Sequence, residues 1–150
     1  MRRSPSVPPA VVSTVVYMES SAVVAALLER DTAAMQAAVL GDRLVTSALT
    51  IAETARAIIR ARVTGRLTAA QEQEAVTALR TFTRRCFILD VDHRVLVRAG
   101  LRFPVEPIRT LDALHLATAE LLDESPPLVT IVTRDVRVRE NAQALGFTVA

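Results

Sequence analysis

Residues 128–133 read LVTIVT, an uncharged run in which every residue after the first is β-branched. Such a run favours extended backbone. With no polar face, it belongs inside a sheet covered on both sides, the usual setting of parallel strands. A second run of this kind, VVSTVVYM over 11–18, lies near the other end of the chain. Weaker strand signals at 44–46 and 87–91, and a closing FTVA, alternate with stretches of helical periodicity. Strands alternating with helices predict an α/β domain with three α/β/α layers and a mostly parallel central sheet. In such sheets, sites form just past the carboxyl ends of the strands.

The helices are read from caps and stripes. Ser20 and Ser21 are N-cap candidates for a helix with Val23, Val24, Leu27 and Leu28 on one stripe. A short helix spans 31–40 and ends at Gly41. Ser47 or Thr50 starts the next, with Ile51, Ala55, Ile58 and Ile59 inward and Glu53, Arg56 and Arg60 on the opposite face. A long helix over 68–85 carries Val76, Leu79, Phe82 and Cys86, and another spans 92–101. Arg109–Leu122, RTLDALHLATAELL, then forms a helix with Leu111, Leu114, Thr118, Leu121 and Leu122 at helical spacing. Asp112 and His115 stand one turn apart on it and lean to one side. Ser125-Pro126-Pro127 forces a loop, and a last helix runs from Asp135 to Leu145, closed by Gly146.

At 150 residues the chain suits one domain, assigned to 11–150. Hydrophobic residues make up 51%, aromatics 3%, and Trp is absent, so the core is built from Ala, Val, Leu and Ile. All 18 basic residues are arginine, against 16 acids, and a net charge of +2 is too mild to announce a nucleic-acid binder. Cys86 is the only cysteine, which rules out an intramolecular disulfide or a thiolate metal cluster. Residues 1–10 read as a disordered lead-in, because Pro5, Pro8 and Pro9 interrupt any signal-like apolar run. No apolar run reaches membrane-spanning length, so no membrane partner and a reducing, cytoplasmic setting are expected.

Four acids fall where strands end or helices begin: Glu19, Glu53, Asp112 and Asp135. Brought together they would repel and shift one another's protonation. A divalent cation relieves that, and oxygen ligands favour Mg²⁺ or Mn²⁺, ions that activate water and stabilise in-line displacement at phosphorus. Zinc does not suit one cysteine and two histidines, His93 and His115. A Ser/His/Asp pattern, a P-loop and a dinucleotide glycine fingerprint are all absent. Each acid also has an ordinary duty open to it. Glu19 can serve its helix dipole, Glu53 can complete a Thr50–Glu53 capping box, and Asp112 and Asp135 can cap their helices. His115 reads as a packed, hydrogen-bonded core histidine.

VYMESSAVVAALL (16–28), the Glu53 helix, RTLDALHLATAEL (109–121) and TRDVRVRENAQALGF (133–147) together resemble the PIN domain family, and specifically VapC-type ribonuclease toxins of toxin–antitoxin pairs. The resemblance implies a metal-dependent endoribonuclease with Glu19, Glu53, Asp112 and Asp135 as catalytic and metal-binding acids around Mg²⁺ or Mn²⁺. It implies Thr133 and Ser21 as supporting hydroxyls, RNA as substrate, a homodimer, and a small antitoxin that blocks the cleft. One position departs from the pattern: the family's first acid is normally Asp, and here it is Glu19. The extra methylene moves the carboxylate by ~1.5 Å, and Mg²⁺ tolerates little distortion of its octahedron. Glu19 then either binds through a water or a shifted backbone, or attenuates the activity. The alternatives are a catalytically weakened PIN module acting by RNA or antitoxin binding, and a housekeeping RNA-processing nuclease. The Ile58 and Leu79 helices carry more apolar stripe than one small sheet needs, so part of that surface is expected to bind the antitoxin or a second copy.

Overall fold

The computed structural model describes residues 12–150; the expected lead-in over 1–10 and the start of the first apolar run lie outside the described residues. β1 (Val15–Met18) is buried along its whole length. Alternation sends Val15 and Tyr17 into one hydrophobic cluster and Val16 and Met18 into another, so the strand is covered on both faces. It pairs in parallel with β2 (Arg43–Ser47) and with β4 (Val129–Val132), Val15 standing beside both Arg43 and Val129. β3 (Phe87–Leu89) and β5 (Thr148–Val149) extend the two edges, giving a five-stranded, all-parallel order β3-β2-β1-β4-β5. β4 takes the middle of its apolar run, β1 the last four residues of its run and β3 the first three of 87–91, while β2 extends past 44–46 at both ends.

Helices cover both faces. α5 (His93–Ala99), α6 (Thr110–Glu120) and α7 (Val136–Ala144) pack on the Tyr17 side, around Val95, Leu116, Val138 and Ala142. α1 (Ser20–Leu28) and α2 (Thr32–Ala37) pack on the Met18 side through Ala22, Val23, Ala34 and Ala37. α3 (Ala48–Val63) and α4 (Ala69–Arg85) lean outward from α1 and share a smaller core of Ile58, Ala75 and Leu79. Three α/β/α layers result. Among the described residues no helix is long and apolar enough to cross a membrane.

Local chemistry corrects several sequence expectations. Ser20 and Ser21 do not cap α1; the cap is Glu19, whose own carboxylate accepts from the Ser21 amide. Ser47, at the end of β2, caps α3, so the Thr50–Glu53 capping box does not form. The buried face of α3 is Thr50, Thr54, Ile58 and Ala61, while Ile59 is 41% exposed. On α6 the central core residue is Leu116, and Leu111 and Leu121 point outward. The reason is that α6 is embedded nearly all round, with alanines against its neighbours, so a one-sided stripe is the wrong template for it. Pro126–Leu128 forms a 3₁₀ turn in the expected proline loop. Gly146, with φ of 91°, supplies the left-handed residue that lets the chain leave α7 and enter β5.

Candidate active site

β1 and β4 lie side by side at the centre of the sheet, but the chain leaves them in opposite directions, β1 toward β2 and β4 toward β5. A crevice opens at such a switch point beyond the carboxyl ends of the strands. Glu19 immediately follows β1, and its amide is tied to Val132 O of β4 at 3.0 Å. Asp135 follows β4 and caps α7, accepting from the amides of Arg137 and Val138 at 2.8 and 3.1 Å. Asp112 stands in the first turn of α6, and Glu53 projects from α3. All four carboxylates line one cleft of about 650 Å³, together with Ser20, Ser21, Arg56, Arg60 and Arg109.

The Glu19 carboxylate is buried and fully engaged. One oxygen accepts from Ser20 Oγ at 2.7 Å; the other accepts from the Ser21 amide, the Ser21 hydroxyl and Thr133 Oγ1, the last at 2.9 Å. Ser21 in turn accepts from the Arg134 amide at 2.8 Å, and Thr133 Oγ1 accepts from the Asp135 amide at 3.0 Å. Both expected supporting hydroxyls therefore sit on the first acid and knit the β1 and β4 ends together.

Arg109, which sequence reasoning passed over, bridges two of the acids. Its Nε donates to Asp112 at 2.9 Å and its Nη2 to Asp135 at 2.7 Å. Its spacing of three from Asp112 on one helix was the available signal. Burial pushes the Asp112 carboxyl above its ordinary value, and the charges of Asp135 and Glu19 add to that against the opposing pull of Arg109. Glu53 moves the other way: burial would raise it, but the bond and charge of His115, with Ser20 and Arg109, outweigh burial and hold it below the ordinary value. His115 Nε2 lies 2.6 Å from Glu53 and 3.8 Å from Glu19.

Acids, hydroxyls and a counter-charge thus share one cleft. Hard oxygen donors of this kind suit Mg²⁺ or Mn²⁺, and the guanidinium between Asp112 and Asp135 marks where the cleft calls for positive charge. Among the described residues no group of three or more His, Cys, Asp or Glu side chains is placed so that it could hold a metal ion.

Comparison with known proteins agrees with this reading of the fold. The PIN domain family profile matches residues 16–144. A curated relative, Ribonuclease VapC35 of Mycobacterium tuberculosis, is 34% identical over 139 residues, covering 89% of this chain and 94% of that protein. Ribonuclease VapC46 of the same species is 36% identical over 136 residues, covering 89% and 95%. Among solved structures, VapBC2 from Rickettsia felis, bound to a DNA fragment from its promoter, superposes with a TM-score of 0.62 at 15% identity over 91% of this chain and 97% of that one. PAE2754 from Pyrobaculum aerophilum gives 0.60 at 18% identity, over 98% and 92%. Those two likenesses are of fold. The family match and the VapC relatives reach further: the chain belongs to the PIN domain family.

Proposed function

We propose that this chain is a Mg²⁺- or Mn²⁺-dependent endoribonuclease, the toxin of a toxin–antitoxin pair, acting in the cytoplasm on RNA phosphodiester bonds. The observation that carries the reading is the convergence of Glu19, Glu53, Asp112 and Asp135, from four separate elements, on one cleft at the sheet's switch point. The two VapC relatives, both named ribonucleases, supply the reaction class. The four acids would hold the ion, with Ser21 and Thr133 supporting Glu19. When bound, the ion supplies activation of water and charge stabilisation at phosphorus. The chain's own residues do the rest. Arg56 and Arg60 line the same cleft with exposed guanidinium groups suited to backbone phosphates. Arg109 holds Asp112 and Asp135 together until a cation replaces it.

The saturation of Glu19 by four donors favours a weakened site over a fully active one, since those bonds compete with metal binding. The antitoxin reading is supported by the groove of about 410 Å³ between α3 and α4, lined by Ile51, Ala55, Ile58, Ile59, Val76 and Leu79. The same apolar groove is open to a second copy of the chain, and a homodimer is part of the proposal.

Incubating the purified chain with RNA and Mg²⁺ or Mn²⁺ tests the activity. Cleavage that a chelator stops and added metal restores is the expected result. Cleavage indifferent to chelator, or binding of RNA with no cleavage under either metal, would overturn the catalytic reading.

A further inference from the structure

Tyr17 and His115 are fully buried beneath the acidic cleft, yet neither is among the residues that line it. The Tyr17 hydroxyl and His115 Nδ1 are 2.9 Å apart, and His115 Nε2 is 2.6 Å from Glu53 Oε2. A hydroxyl that donates to Nδ1 leaves the ring proton on Nε2, aimed at the carboxylate. The two rings meet edge to face at 73°, which fixes the imidazole plane. Three elements are linked in line by these contacts: β1 through Tyr17, α6 through His115 and α3 through Glu53.

The buried ring needs an acceptor for its Nε2 proton, and Glu53 supplies it. The Glu53 side chain is 24% exposed and has water available, so it does not depend on His115 for a donor. The same Nε2 lies 3.8 Å from Glu19 Oε1, so one N–H faces two of the four acids, which come from different elements. The Glu53 carboxylate is held by His115, with Ser20 as a further hydrogen-bonding neighbour, whereas Asp135 has two backbone amides and Arg109, and Glu19 has its serines and Thr133. We infer that His115, its orientation set by Tyr17, is a positioning residue that holds Glu53 in the acid cluster and toward Glu19. The assignment rests on the nuclease reading above.

Calorimetric titration of the full chain with Mn²⁺, run beside RNA-cleavage kinetics, tests it with three single variants and a double-variant cycle. His115→Leu removes the imidazole and leaves the buried Tyr17 hydroxyl without its partner, so a lower melting temperature is expected beside any effect on the site. It is expected to weaken Mn²⁺ binding by about 10–100-fold, the range for groups that orient metal ligands, and to lower kcat with KM for RNA little changed. His115→Gln keeps an N–H donor near the Nε2 position and is expected to recover most of the affinity. Tyr17→Phe keeps the ring and removes the hydroxyl, giving an intermediate loss. In a Glu53→Gln background His115→Leu adds no further loss, because the two act as a unit.

Wild-type Mn²⁺ affinity and kcat in His115→Leu would overturn the positioning role while the nuclease reading stood. If His115→Leu loses its cooperative melt, Tyr17→Phe decides: wild-type affinity in that variant overturns the proposal. A wild-type chain that neither binds Mn²⁺ nor cuts RNA removes the nuclease reading and this proposal with it.

Discussion

Replacing Glu19 by Asp is expected to raise Mg²⁺-dependent cleavage and lower stability at the same time. The shorter side chain draws the carboxylate back by ~1.5 Å, which takes it out of reach of Thr133 Oγ1, now at 2.9 Å. The helix cap survives, because Asp is a preferred N-cap residue and the Ser21 amide stays within reach of it. Losing a buried methylene costs about 0.8 kcal/mol. Losing a bond to a buried charge costs at the low end of about 1.5–3 kcal/mol, since Thr133 keeps the Ser21 hydroxyl at 3.2 Å and the Asp135 amide. Less about 0.5 kcal/mol for the better cap, the net loss is about 2 kcal/mol, a fall in Tm of roughly 4–8 °C for a chain of this size. Freed of Thr133, the carboxylate meets the octahedral demand of Mg²⁺ more closely, and cleavage rises by about tenfold or more, the scale on which metal-ligand orientation acts. Mn²⁺ narrows the gap by rescuing the Glu19 form preferentially. Melting curves and initial cleavage rates, each in both metals, read the two effects. Equal rates and equal metal dependence in the two forms would refute the reasoning and leave Glu19 as a helix cap alone.

Two further outcomes follow from the charges. Asp112 has a folded-state pKa above its unfolded value, so its ionisation subtracts stability, and that loss sets in as pH rises from the unfolded value of 3.8 through the folded one. Asp112→Asn is therefore expected to melt higher than wild type at neutral pH and to converge with it below pH 4, while losing cleavage; a variant less stable at neutral pH would contradict this. Arg109→Gln removes the cation bridging Asp112 and Asp135 and is expected to tighten Mn²⁺ binding several-fold, as a unit charge a few ångströms away in screened surroundings would. Calorimetry showing weaker binding would mean that Arg109 assembles the site instead of competing for it.

Much of this was legible in the residues because each signal was local. LVTIVT and VVYM announced the central strands, and Asp135 sat where a strand-end acid caps a helix, which it does. The placement of the four acids followed from the parallel sheet, since strand ends on one edge bring their loops together. What escaped depended on contacts distant in sequence. Leu116, not Leu111 or Leu121, became the core of α6 because neighbours surround that helix, and no stripe in a single helix records how many sides will be covered. Glu19 displaced Ser20 as the cap of α1 because Thr133, 114 residues away, helps fix its carboxylate. Glu53 left its expected capping box for the cleft because Ser47, carried by β2, caps α3 first. His115 was read as a satisfied core histidine, which its buried bond to Tyr17 supports; its second bond, to Glu53, is visible only once α3 and α6 are side by side.

The most direct measurement compares the wild-type chain with Glu19→Gln, Glu53→Gln, Asp112→Asn and Asp135→Asn for Mn²⁺ binding and RNA cleavage in one assay. Each substitution preserves size and removes one carboxylate charge from the cleft. If the four acids act as one metal site, every variant loses cleavage and binds Mn²⁺ more weakly while keeping a cooperative melt. A variant among the four that folds, binds Mn²⁺ and cuts RNA as the wild type does would contradict the shared site.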